Sequence, residues 1–380
     1  MKKFRLLTPG PTTIPETVLS KMAEPIIHHR TSLFEEIFKE FQSHLQWLFQ
    51  TKQPVLTLTC TGTGAMEATI SNLFSPGDEV ITVNAGKFGE RWTKIAKAYG
   101  LTVHEILVER GKSLEVSALA SELSAHPQAK AVLFQASETS TGALNPIEAI
   151  AAQCKKHNVL SICDGITAVG IFNLPMDQWG IDVLITGSQK ALMLPPGLAF
   201  IALSENAWKA VANSKLPKFY FDLKKEKTSQ EKQQTAWTPA ISLIQGGVVA
   251  LRLLKEQGHA GLFKQHERMA EATRAAVKAL GLEFFAAIPS AVLTTVKVPA
   301  QILDGKKIPK IMQEKYGVII TGGQDELAGK IIRLSHFGYT DILDITNGIA
   351  ALELTLVELG HPVELGKGVG AALKSFQSSH

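Results

Sequence analysis

Between Pro54 and Ser204 the sequence alternates between two kinds of segment. Short runs rich in β-branched and other apolar residues are bounded by Gly, Pro, Asn or Asp. They are VLTLTC (55–60), EVITVN (79–84), TVHEILV (102–108), AVLFQA (131–136), VLSICD (159–164), DVLIT (182–186) and AFIALS (199–204). Between most of them lie helical patterns: Ala65 to Phe74, Phe88 to Tyr99, Glu115 to Ala125, and Pro146 to His157, the last with proline near its first turn. Alternating β and α units predict a mostly parallel sheet with helices on both faces. The near-continuous hydrophobicity of the strands agrees, because both faces would be buried. The expected class is α/β.

After Leu203 the rhythm changes. Lys215 to Gln234 is charged and turn-rich and predicts an exposed excursion. Two long helices follow, Pro239 to Gln257 and Gly261 to Leu280. Then come a strand (Val292 to Val298), a helix (Lys307 to Tyr316), a strand pair (Val318 to Ile320 with Ile331 to Ser335) and a helix (Ile342 to Leu359). That is a smaller α+β unit, with the division placed at 257/258. Apolar residues are 45% of the 380 and charged residues 19%, which suits a folded chain with a sizeable core. A net charge of +4, with only the short KKEK at 224–227, lacks the footprint of a nucleic-acid binder. Cys60, Cys154 and Cys163 are odd in number and lack metal-ligand spacing, so a reduced compartment is expected. MKKFRLLTPGP has no apolar signal-peptide core, and no window approaches a membrane span of about 20 residues. A cytoplasmic protein without membrane partners is expected.

In an open α/β sheet, ligands bind where strands end and helices begin. The first strand runs into Thr61-Gly62-Thr63-Gly64 and a helix starting near Ala65. Small residues, hydroxyls and a helix N-terminus form a phosphate cradle, although a tight βα turn needs glycine in any case. Phe88 opens the next helix, either as a core aromatic or as a ring to stack on a planar ligand. Ser137-Glu138-Thr139-Ser140-Thr141 offers donors to a ligand, or is a solvated turn. Asp164 ends a buried strand, where a carboxylate needs a partner. It is a helix cap or a counter-ion to a cationic ring nitrogen. Lys190 lies one βα step later among Gly187, Ser188, Gln189 and Ala191. Burial there lowers an amine's pKa and frees it as nucleophile or base. A phosphate cradle, a stacking ring, hydroxyl donors, an aspartate and a lysine together match the needs of pyridoxal 5′-phosphate (PLP).

These motifs resemble the class V, fold-type I, PLP-dependent aminotransferases, and most of all the alanine–glyoxylate, serine–glyoxylate and serine–pyruvate branch. The resemblance runs from Thr8-Pro9-Gly10-Pro11-Thr12 and His29-Arg30 through Thr61 to Ala68 and Glu138 to Gly142. It continues to Gly187-Ser188-Gln189-Lys190-Ala191 with Pro195-Pro196-Gly197, and to Lys330 to Ser335. It implies a large domain (16–257), a small C-terminal domain (258–380) and an N-terminal segment (1–15) over the active site. It implies that Lys190 anchors PLP covalently and that Asp164 pairs with the pyridine nitrogen. Phe88 and Ile166 would flank the ring, and Thr61, Gly62, Thr63 and Gln189 would hold the phosphate. Thr139 or Ser140 would approach the ring hydroxyl. Arg333 would grip the substrate carboxylate, with Gly10 and Ser140 beside the substrate. Thr238 would reach the phosphate in the other subunit of a homodimer; relatives often carry tyrosine near the position of Thr235.

The expected reaction is ping-pong transamination from alanine or serine to glyoxylate or pyruvate. Three alternatives stand beside it. A 2-aminoethylphosphonate–pyruvate transaminase would need further basic residues. A class V lyase such as a desulfurase would need a mobile nucleophilic cysteine, and none lies after residue 163. A non-catalytic binding or assembly subunit would not need the lysine, aspartate and arginine.

Overall fold

The computed structural model describes residues 3–379. Seven strands form its central sheet: β1 (Val55–Leu58), β2 (Glu79–Asn84), β3 (Thr102–Leu107), β4 (Ala131–Gln135), β5 (Leu160–Asp164), β6 (Val183–Gly187) and β7 (Ala199–Leu203). Their spatial order is β1-β7-β6-β5-β4-β2-β3. Strands β2 to β6 pair in parallel, whereas β7 runs antiparallel to both β6 and β1. The connection 188–198 is too short for a helical crossover, so β7 returns beside β6 in the opposite direction.

Successive residues of a strand face opposite sides of the sheet. Leu133 packs with Met66, Ile70 and Trp92, from helices α1 (Gly62–Leu73) and α2 (Lys87–Ala98), on one face. Phe134 packs on the other with Phe38, Phe41 and Phe200. Both faces are therefore dry, as the uninterrupted apolar strands require.

Residues 215–234 differ from the exposed excursion expected of them. A helix at Leu223–Gln230 is capped by Asp222, which accepts the N–H groups of Lys224 and Lys225, and it buries Leu223, Glu226 and Gln230. The Gln230 side chain donates to the carbonyl of Thr57 at 3.0 Å and accepts its N–H at 3.2 Å. Strand β1 is an edge strand, and this glutamine supplies the partner its backbone otherwise lacks. The two long helices expected next form one run, Ile241–Ala279, broken only where Gly258 takes φ 65° and ψ 165°.

In the C-terminal part, Ile331–Ser335 lies between Leu293–Lys297 and Thr321–Gly322 in an antiparallel sheet. The expected pairing of Val318–Ile320 with Ile331–Ser335 does not form. Val318–Ile319 instead pairs in parallel with Arg5–Leu6 from the start of the chain. Among the described residues, no helix is long and apolar enough to cross a membrane.

Candidate active site

The C-terminal ends of β1, β2, β4, β5 and β6 open onto a cavity of about 220 Å³. Its walls include Thr61, Gly62, Thr63, Phe88, Thr139, Asp164, Ile166, Gln189 and Lys190. These come from five separate loops and converge because parallel strands carry all of those loops to one edge.

Helix α1 begins at Gly62, a turn earlier than the sequence indicates, with Thr61 as its N-cap. The Thr61-Gly62-Thr63 turn is thus the helix N-terminus itself, where the first N–H groups have no internal acceptor. A Cβ on Gly62 would strike the side chain of Ile166, so the turn and the β5 loop are in close contact.

Asp164 ends β5 and is 6% exposed. Burial raises its pKa to about 6; the Ile166 N–H at 2.9 Å opposes the rise and the charge of Glu138 adds to it. Lys190 lies just beyond β6. Burial brings its amine down to about 8, against the pull of Asp164 and with help from the charges of Arg333 and Arg91. Its loop is pinned on both sides. Ser188 donates to the carbonyl of Pro195 at 2.7 Å, and Thr12 donates to the carbonyl of Lys190 at 3.0 Å. The Lys190 amine donates to the carbonyl of Pro9. The N-terminal segment therefore crosses directly over the lysine. Gly10, at φ 104°, leaves no room for a Cβ, which would collide with that amine.

Arg333 is buried on the strand Ile331–Ser335, and burial lowers its pKa to about 10. Its Nε donates to the carbonyl of Gly322 and its Nη1 to that of Thr139, each at 2.9 Å. Two of the five N–H groups are used, which fixes the guanidinium plane and leaves the other three.

Four residues expected at the site do not line the cavity: Arg333 and Gly10, with the contacts just given, and Ser140 and Thr238. Ser140 does not line the cavity: its hydroxyl donates to Glu138 at 2.6 Å and accepts the Lys87 N–H at 3.0 Å. Thr238 is exposed on the surface, beside Trp237.

Arg91 and Thr167 were not singled out in the sequence, and Ser137 and Glu138 entered only as members of the run 137–141. Arg91, Ser137 and Thr167 line the cavity. Arg91 donates to Thr63 Oγ1 at 3.0 Å and lies over the Phe88 ring, 5.0 Å from its centroid. Its place one turn after Phe88 is the only sequence signal for it. The fourth is Glu138, whose fully buried carboxylate accepts the N–H groups of Phe88, Gly89 and Ser140.

Comparison with known proteins places this geometry. The family model for class V aminotransferases matches residues 5–345. The chain belongs to the class V aminotransferase family. Among its relatives, a soluble hydrogenase 42 kDa subunit from Anabaena cylindrica is 42% identical, over 99% of both chains. A serine–glyoxylate aminotransferase from Arabidopsis thaliana is 34% identical, over 99% of this chain and 96% of the relative. Among solved structures, a ureidoglycine–glyoxylate aminotransferase from Bacillus subtilis superposes with a TM-score of 0.95 at 30% identity, over 99% of both chains. This class V aminotransferase thus has the fold-type I architecture of PLP-dependent enzymes. Its cysteines are poor nucleophiles. Burial pushes Cys60 up to about 12 and raises Cys154 and Cys163 as well.

Proposed function

We propose that this class V aminotransferase binds PLP and transfers an amino group from alanine or serine to glyoxylate or pyruvate by a ping-pong sequence. The observation that carries the reading is the meeting of Lys190 and Asp164 at one cavity, each with its pKa moved toward neutrality by burial. The names of the glyoxylate-using relatives support the choice of small substrates.

The residues fit the cofactor. The helix N-terminus at Gly62 suits a phosphate, with Thr61 and Thr63 as hydroxyl donors. The Gln189 side chain lines the same wall, where its amide N–H groups can donate to a phosphate. Phe88 and Ile166 offer apolar surface for the two faces of a flat ring. Asp164 would meet the ring nitrogen, whose positive charge would hold the carboxylate ionised. Thr139 rather than Ser140 is free for the ring hydroxyl, since Glu138 and Lys87 occupy the serine.

When bound, PLP withdraws electrons from the substrate's α-carbon and makes its proton removable. Lys190 Nζ would first anchor the cofactor and then, as a neutral amine, take that proton and return it. Arg333, already oriented by two carbonyls, would grip the substrate carboxylate with its remaining N–H groups. The segment around Gly10 would close the site from above. In a homodimer, Thr238 would face the partner's phosphate; the neighbouring Phe219 (78% exposed) and Tyr220 suit a surface that a second copy covers. The same reading divides the chain at 257/258, beside the helical break at Gly258.

The Anabaena relative bears the name of a hydrogenase subunit. A protein kept only for assembly has no use for a pinned lysine that shares a cavity with a buried aspartate, so turnover is the better account. The test uses the purified protein with PLP and pairs alanine or serine with glyoxylate or pyruvate. Glycine formed from glyoxylate, with parallel-line kinetics, is expected. No amino transfer with any pair would overturn the substrate reading. A visible cofactor absorbance band unchanged in Lys190→Ala would overturn the lysine's role.

A further inference from the structure

A second cluster of ionisable side chains lies toward the opposite end of the sheet from the cavity. Glu79 is the first residue of β2, and His104 lies on the edge strand β3. His126 caps the C-terminus of helix α3 (Val116–Ala125). Glu79 Oε2 is 2.9 Å from His104 Nε2. The His104 and His126 rings stack with centroids 3.4 Å apart and planes 18° apart. Glu122 Oε1 lies 3.1 Å from His126 Nε2. One ligand atom from each of Glu79, His104 and His126 falls within 4.8 Å of the others.

We propose that Glu79, His104 and His126 form a binding site for a divalent cation of the zinc class. Two imidazoles and one carboxylate are the donor set such borderline ions take, with water completing a tetrahedron. Tetrahedral bonds of about 2.0–2.1 Å separate ligand atoms by about 3.3 Å. The ion would replace the proton between His104 and Glu79, opening that contact slightly, and would draw His126 inward by side-chain rotation. Glu122 on Nε2 of His126 leaves Nδ1 for the ion, and a carboxylate on the second ring nitrogen is the usual support of a metal-bound histidine.

The backbone holds these groups in place. Glu79 pairs with Thr102 and Ile81 with His104, so the ladder fixes the offset between the two ligands. The His126 N–H bonds to the Glu122 carbonyl, and the His126 carbonyl accepts the Ala129 N–H, each at 3.0 Å. The Glu79, His104 and His126 side chains are 34%, 19% and 31% exposed, sheltered yet open to an ion from solvent. Bound there, the cation would tie the sheet's open edge at β3 to the end of α3.

The test uses untagged, PLP-loaded protein treated with chelator and titrated with zinc chloride in a calorimeter. One zinc per chain at micromolar or tighter affinity is expected. His126→Ala and Glu79→Gln should each weaken binding by more than about 100-fold, since even outer partners of metal ligands are worth 10–100-fold. Zinc should raise the melting temperature of the wild type and leave that of both variants unchanged. Zinc-free melting of each variant near the wild-type temperature checks that they fold. No one-per-chain event in the wild type, or an event unaltered in His126→Ala, would overturn the proposal.

Discussion

The buried carboxylate of Glu138 accepts the backbone N–H of Phe88 at 3.1 Å. The same oxygen takes the N–H of Gly89 at 3.0 Å, so this acid holds the first turn of α2 at the cavity wall. Burial raises its pKa, and the Ser140 hydroxyl and three backbone N–H groups oppose the rise. Acids near a helix N-terminus also meet a favourable dipole.

Glu138→Gln turns one acceptor oxygen into a donor that faces N–H groups. An unmet buried donor costs about 1–3 kcal/mol. The variant should unfold at lower denaturant concentration and bind PLP more weakly, because Phe88 loses its anchor. Unfolding curves and a PLP titration check both.

Arg333→Lys keeps the charge but loses the planar fork and the bonds to Gly322 and Thr139. Hydrogen bonds to charged groups are worth about 1.5–3 kcal/mol, so KM for the amino acid should rise roughly 10- to 100-fold. Steady-state kinetics with alanine reads this, and an unchanged KM would remove Arg333 from carboxylate binding.

The Lys190 amine, brought down to about 8 from 10.5, reacts only when neutral. The rate at which cofactor-free protein takes up PLP should therefore climb with pH and level off above about 8. An ordinary lysine would still be climbing near 10. Stopped-flow absorbance across pH 6–10 separates the two.

Asp164 has a folded pKa near 6 and an ordinary value of 3.8. The folded state therefore keeps its proton to higher pH than the unfolded chain. Stability of the cofactor-free protein falls as pH rises from about 4 to 6 and stays lower above that. Asp164→Asn removes this loss. It should stabilise the cofactor-free protein at pH 7.5 by as much as about 2–3 kcal/mol, a gain absent near pH 4. Once PLP is present the order should reverse, since the asparagine has no charge for the ring nitrogen. Thermal melts with and without PLP test the crossing.

Lys190, Asp164 and the Thr61–Thr63 turn were legible in the sequence for one reason. Each sits where an apolar strand ends, and a polar group there demands a partner. Glu138 was visible only as one of a polar run, because its partners are backbone N–H groups, which no residue letter records. Arg91 lies in KFGERWTK among other charges, and only the fold turns it toward Thr63. The helix at Leu223–Gln230 was masked by lysines on its outer face, while Leu223, Glu226 and Gln230 form its buried one. Pairings distant in sequence, such as Arg5 with Val318, leave no local pattern at all.

That last pairing bears on how the enzyme is made. Residues 5 and 6 precede the central sheet in the sequence, yet their strand partner, Val318–Ile319, follows it. The segment that crosses Lys190 is continuous with that strand. A nascent chain stopped short of residue 318 holds every strand of the central sheet but lacks the strand that pairs with residues 5 and 6. The cover over the reactive amine is fastened only once residues on the far side of the central sheet have been made.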